Sequence, residues 1–123
     1  MHTAVRCLRV LVVDDEPLIR WSIADTLGAA GHRVLEAADA ASARRLLDQT
    51  PDLGLVLLDL RLPDSSDLAL LADVRRRAPN TPVIMMTAFG TPEITAAALR
   101  MGALSVLNKP FNMHDLETVV QSL

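Results

Sequence analysis

The sequence predicts a doubly wound α/β fold, a parallel sheet with helices on both faces. Three observations carry that expectation. Five short apolar runs recur along the 123 residues, and each is followed by apolar residues at helical spacing. Caps, prolines and glycines punctuate the alternation at short intervals. The polar residues with chemical potential stand where strands end: Asp14 and Asp15 after the first, Asp59 the third, Thr87 the fourth and Lys109 the fifth. Short alternating connections impose right-handed crossovers and a parallel sheet. Ligands of such sheets sit outside the carboxyl ends of the strands.

The elements follow in order. Arg9 to Val13 reads as the first strand, and Asp14 to Pro17 as a turn into a helix whose inner positions are Ile19, Ile23, Leu27 and Ala30, stopped by Gly31. Arg33 to Ala37 is a short second strand. Asp39 caps a helix facing inward through Ala40, Ala43, Leu46 and Leu47, with Pro51 beyond it. Gly54 to Asp59 is the third strand, an unbroken aliphatic run ending in a carboxylate, as expected of a strand buried on both faces. Pro63 forbids its regular continuation. The third helix spans Asp67 to Ala78, with Leu70, Leu71 and Val74 inward, and Arg75, Arg76 and Arg77 read as a solvated helix end. Pro82 to Thr87 is the fourth strand. Thr91-Pro92-Glu93 starts an alanine-rich fourth helix, weakly anchored through Ile94, Ala97, Ala98 and Met101 and ended by Gly102. Leu104 to Leu107 is the fifth strand, and Asn112 caps a final helix through Leu116, Val119, Val120 and Leu123.

The totals suit one domain over residues 1–123, with no repeat or linker. Half of the residues are hydrophobic and 22% charged, which excludes a disordered chain. Aromatics at 2% leave no platform for stacking bases, and a net charge of −3 argues against nucleic-acid binding by this segment. Cys7 has no partner for an internal disulfide. Met1 to Leu8 is too short and mixed for a signal peptide, and no apolar run reaches membrane-spanning length. A soluble cytoplasmic chain is the expectation.

Asp14, Asp15 and Asp59, gathered in one pocket, would repel one another and raise each other's pKa. A hard divalent cation resolves that conflict. Mg²⁺ suits one or two carboxylates plus waters and phosphate oxygens, while Ca²⁺ and Mn²⁺ also fit such donors. A carboxylate can attack phosphorus to form an aspartyl phosphate, with a lysine such as Lys109 neutralising charge and a hydroxyl such as Thr87 bonding a phosphoryl oxygen. Each residue also has an ordinary reading alone: helix-start acids for Asp14 and Asp15, a turn former for Asp59, a strand residue for Thr87, a surface ammonium for Lys109. Their convergence on one sheet edge favours the joint reading. No general base for hydrolysing a separate substrate is evident.

Four segments carry a resemblance. Leu-Val-Val-Asp-Asp-Glu-Pro at 11–17, Leu-Leu-Asp-Leu-Arg-Leu-Pro-Asp at 57–64, Met-Thr-Ala-Phe-Gly-Thr at 86–91 and Asn-Lys-Pro-Phe at 108–111 resemble a response-regulator receiver domain over nearly the whole chain. The resemblance implies the flavodoxin-like fold with strand order 2-1-3-4-5. It implies a signalling switch rather than an enzyme: Asp59 accepts a phosphoryl group from a sensor histidine kinase and then dephosphorylates slowly. Mg²⁺ would be held by Asp15, Asp59 and the main-chain carbonyl of Arg61, with Asp14 acting largely through water. Thr87 and Lys109 would contact the phosphoryl group, and the bond before Pro110 would be cis. Segments 15–22 and 87–93 are further similar to receivers of sigma-54-dependent transcriptional activators, whose ATPase and DNA-binding domains are not in these 123 residues. The expected responding face is the fourth helix, fifth strand and fifth helix, a candidate homodimer surface.

Two positions depart from the family. Val106 stands where an aromatic usually does, so coupling is expected through Thr87 and the 87–91 loop instead. Asp67 replaces the usual glycine, which would stiffen the loop beside Asp59. Trp21 falls off the inner face of the first helix, as a partly covered surface indole or a partner-facing anchor. The alternatives are a haloacid-dehalogenase-like phosphatase, whose second aspartate would fall at Arg61, and a docking-only pseudo-receiver, which would lack the acids this chain has.

Overall fold

Strand and helix alternate throughout the described residues, 7–65, 68–88 and 90–123 of a computed structural model. The elements are β1 (Arg9–Val13), α1 (Pro17–Ala29), β2 (Arg33–Ala37), α2 (Ala40–Gln49), β3 (Leu55–Asp59), α3 (Ala69–Arg77), β4 (Val83–Thr87), α4 (Pro92–Arg100), β5 (Ser105–Asn108) and α5 (Met113–Gln121). The five strands are parallel in the order β2-β1-β3-β4-β5, the flavodoxin-like arrangement expected.

Successive strand side chains point to opposite faces, so the sheet divides the core in two. Leu11, Val13, Val56, Leu58, Val83 and Met85 pack with α2, α3 and α4. Val10, Val12, Leu55, Leu57, Ile84 and Met86 pack with Ile23 and Leu27 of α1 and Leu116 and Val120 of α5. Burial on both faces explains why β1, β3 and β4 read as unbroken aliphatic runs.

The caps are those the sequence announces. The side chains of Asp39, Thr91 and Asn112 accept bonds from the backbone N–H groups of Ser42, Ile94 and Asp115 at 2.7, 3.2 and 2.7 Å. Gly31 and Gly102 follow α1 and α4 with φ of 96° and 103°, a conformation that a side chain disfavours.

The departures have physical reasons. β3, β4 and β5 begin one residue later than expected, yet each boundary residue still bonds to a neighbouring strand. Gly54 donates to Arg9, Leu104 donates to Val83, and the Pro82 carbonyl accepts from Val56. Ala30, expected inward, is exposed where the chain leaves α1. The expected helix start at Asp67 and its stiffening effect lie outside the described residues, as does Phe89 of the quoted segments; among the described residues α3 begins at Ala69. The arginines at the end of α3 are not merely solvated. Arg77 pairs with Asp48 of α2 at 2.7 Å, Arg76 bonds Asp73, and Arg75 donates to the Thr81 carbonyl. Asp73, nearly buried, also accepts from Arg44 of α2 at 2.5 Å. The Arg77–Asp48 and Arg44–Asp73 pairs latch α2 to α3. Trp21 is 60% exposed, as its helical position predicts.

Candidate functional site

Strand alternation decides which side chains meet at the carboxyl end of the sheet. Val10 and Val12 face the α1/α5 layer, and Asp14 keeps their parity because its N–H bonds the Ala37 carbonyl at 3.0 Å, extending the ladder by one step. Asp59 follows Leu57 in the same way. Lys109 follows Leu107, its N–H bonding the Thr87 carbonyl at 2.7 Å. Three remote segments therefore aim Asp14, Asp59 and Lys109 to one side.

Lys109 Nζ sits at the centre of the cluster. It donates to Asp14 Oδ2 at 2.8 Å, Glu16 Oε1 at 3.1 Å and Asp59 Oδ2 at 3.2 Å. Asp14 is fully buried, and the side chains of Asp59 and Lys109 are each 7% exposed, so these charges act with little solvent screening. Asp14 Oδ1 also accepts the Glu16 N–H at 2.8 Å, and Asp59 Oδ1 accepts the Arg61 N–H at 3.2 Å. Asp15 is exposed at the mouth.

The carboxylates repel. Burial first, and Asp14 second, push Asp59 up from 3.8 to about 6, against the pull of Lys109. Burial works against the Lys109 ammonium too, but its hydrogen bond to Asp14 and the attraction of Asp59 and Asp14 outweigh it and hold its pKa above the usual 10.5.

One oxygen from each of Asp14, Asp15, Glu16 and Asp59 lies within 4.8 Å of the others. This all-oxygen set, rich in carboxylate and part open to solvent, fits a hard cation such as Mg²⁺. Glu16 was not among the residues singled out from sequence, where it fell within the turn into the first helix. It does occupy the N-cap of α1, but its side chain makes no cap bond and turns to Lys109 instead. Its nearness in sequence to Asp14 was the only available signal.

Thr87 has the opposite parity. It follows Met85 and faces the α4 side, buried at 3% exposure, one residue beyond Met86, the strand partner of Asp59. There it lines a small apolar cavity of about 10 Å³ with Leu60, Met85, Ile94, Ala98 and Val106. Gly90 comes close to it: a Cβ there would fall 2.7 Å from Thr87 Cγ2. The Lys109–Pro110 bond is cis.

Comparison with known proteins agrees with this fold. The response regulator receiver domain family matches residues 10–121. The chain is 40% identical over 112 residues to the response regulator protein PilR of Pseudomonas aeruginosa, covering 91% of this chain and 25% of that protein. It is 35% identical over 113 residues to the DNA-binding transcriptional regulator NtrC of Escherichia coli, covering 91% and 24%. The chain thus spans about a quarter of the length of these curated relatives. Among solved structures, a CheY-like receiver domain protein from Methanospirillum hungatei superposes with a TM-score of 0.89 at 29% identity, covering 95% of this chain and 93% of that one.

Proposed function

This chain belongs to the response regulator receiver domain family, and we propose that it is a switch driven by phosphorylation of Asp59. The observation that carries the reading is the Lys109 ammonium, held within 3.2 Å of Asp59 and bonded to Asp14 and Glu16 in the same buried cluster.

An Asp59 oxygen attacks the phosphorus of a phosphohistidine on a sensor kinase; the O–P bond forms, the P–N bond breaks, and the imidazole leaves with the electron pair. The Arg61 N–H and Lys109 hold the two carboxylate oxygens in fixed directions. Lys109 stays protonated and offsets charge on the transferring group. Asp14, Asp15, Asp59 and the Arg61 carbonyl, with Glu16 beside them, would hold Mg²⁺, which when bound supplies positive charge to the phosphoryl oxygens. Thr87 donates its hydroxyl to a phosphoryl oxygen. That contact draws on the α4 side of β4, where Thr87 borders the cavity and lies against Gly90. With Val106 in place of an aromatic, the response passes through Thr87 and the 87–91 loop to the face formed by α4, β5 and α5, a surface for self-association. In a longer protein resembling PilR and NtrC, the switch would govern transcription with sigma-54-type output domains.

The test is radiolabel transfer from a phosphorylated histidine kinase or a small phosphoramidate, with Mg²⁺ and with chelator. The unmodified chain takes up label only with Mg²⁺, and Asp59→Asn takes up none. Equal labelling of Asp59→Asn would sink the assignment.

A further inference from the structure

The β3–α3 connection is anchored twice, and the second anchor has no counterpart in the site described so far. At one end the Arg61 N–H bonds Asp59 Oδ1. At the other, Asp64 reaches across to α2, where its two carboxylate oxygens accept the backbone N–H groups of Ala40 at 2.7 Å and Ala41 at 3.0 Å. Between them, Leu62 and Ser65 exchange backbone bonds at 3.0 and 3.3 Å, closing a tight turn over Pro63 and Asp64. Pro63 restricts that turn further, so it transmits a pull rather than absorbing it.

Asp64 is not the helix's own cap. Asp39 already serves that role, accepting the Ser42 N–H. It leaves the Ala40 and Ala41 amides for Asp64, whose negative charge also suits the positive end of the helix. The start of α2 is itself tied to the acidic pocket, because the Ala37 carbonyl just before it takes the Asp14 N–H. The anchor point is therefore part of the same frame that holds Asp14.

We infer that Asp64 is a positioning residue for the cation site: it fixes the turn at 62–65 against α2 and thereby holds the Arg61 backbone beside Asp59. This rests on the reading of the Arg61 carbonyl as a metal ligand. Asp64 touches neither metal nor phosphoryl group. It removes freedom from a ligand supplied by a loop, the kind of outer support whose loss costs metal affinity.

The two aspartates at one helix end provide the test. Mg²⁺ binding to the purified chain is measured by calorimetry for Asp64→Ala, Asp64→Asn, Asp39→Ala and Asp15→Asn, alongside thermal melts and amide hydrogen exchange. Asp64→Ala weakens Mg²⁺ by about tenfold and speeds exchange at Ala40 and Ala41. Asp64→Asn, which keeps one acceptor and the fold, weakens it less. Asp39→Ala frays the same helix end and lowers the melting temperature, and because it loosens the Asp64 anchor only indirectly it weakens Mg²⁺ less than Asp64→Ala does. If Asp64→Ala and Asp64→Asn both bind Mg²⁺ like the unmodified chain while Asp15→Asn loses it, the positioning role is overturned and the site reading stands. If Asp15→Asn also binds normally, the site reading falls and takes the inference with it.

Discussion

The two sides of the sheet's carboxyl end differ in how tightly they are filled. On the α1/α5 side, Lys109 holds three carboxylates, and Asp14 and Asp59 each have both oxygens engaged. On the α4 side, Thr87 and Val106 border an apolar gap, and α4 buries only Ala98 fully. The first side is polar and over-determined, the second apolar and under-filled. Chemistry needs reacting groups held in register. A switch needs an element whose two arrangements differ by only a few kcal/mol. Both meet in β4, where Met86 pairs with Asp59 and Thr87 turns to α4.

The largest test strikes the tight side. Because Asp59 is raised from 3.8 to about 6, the fold holds a proton that the unfolded chain has already released. The ionisation cost is absent below about pH 4, grows between about pH 4 and 6, and is complete above that. It amounts to about 3 kcal/mol. In urea unfolding without metal, Asp59→Asn is expected to exceed the unmodified chain in stability by up to about 3 kcal/mol near pH 7.5 and to match it near pH 3.5. Equal stability at both pH values would mean that the tight side stores no electrostatic strain.

The next strikes the boundary. Gly90→Ala forces a methyl against Thr87 Cγ2 and should cost about 1–2 kcal/mol. Thr87→Ser deletes that methyl, so the Gly90→Ala penalty should largely vanish in the double variant. Additive losses would show that the loop does not sense Thr87.

The smallest fills the loose side. Val106→Ile adds one methylene beside the gap and should stabilise by up to about 0.8 kcal/mol. A loss would show that the α4 side is already close-packed and the contrast between the two sides false.

Much of this arrangement was legible in the sequence. The aliphatic runs at 10–13 and 55–58 announce buried strands, and Asp39, Thr91-Pro92 and Asn112 announce helix starts, because caps and periods are local properties of a few neighbouring residues. The parity that sends Asp59 and Thr87 to opposite sides was not legible, because strands buried on both faces hide their register and only the Asp59–Met86 pairing sets it. Nor could choice of partner be read. Glu16, Arg77 and Asp64 each look like ordinary helix-end or turn charges, since a charge at a helix terminus satisfies local rules whatever it later touches.

The chain's own letters determined five strands, five helices and the order of acids and lysine at their ends, because backbone preference and side-chain period act over a few residues. Only the tertiary structure decided that Lys109 would meet Asp14 across 95 positions, that Glu16 would turn from its helix to that lysine, and that Asp64 would bind α2. The interaction between two charges depends on their separation in space, and the crossovers of the sheet, not the spacing along the chain, set that separation.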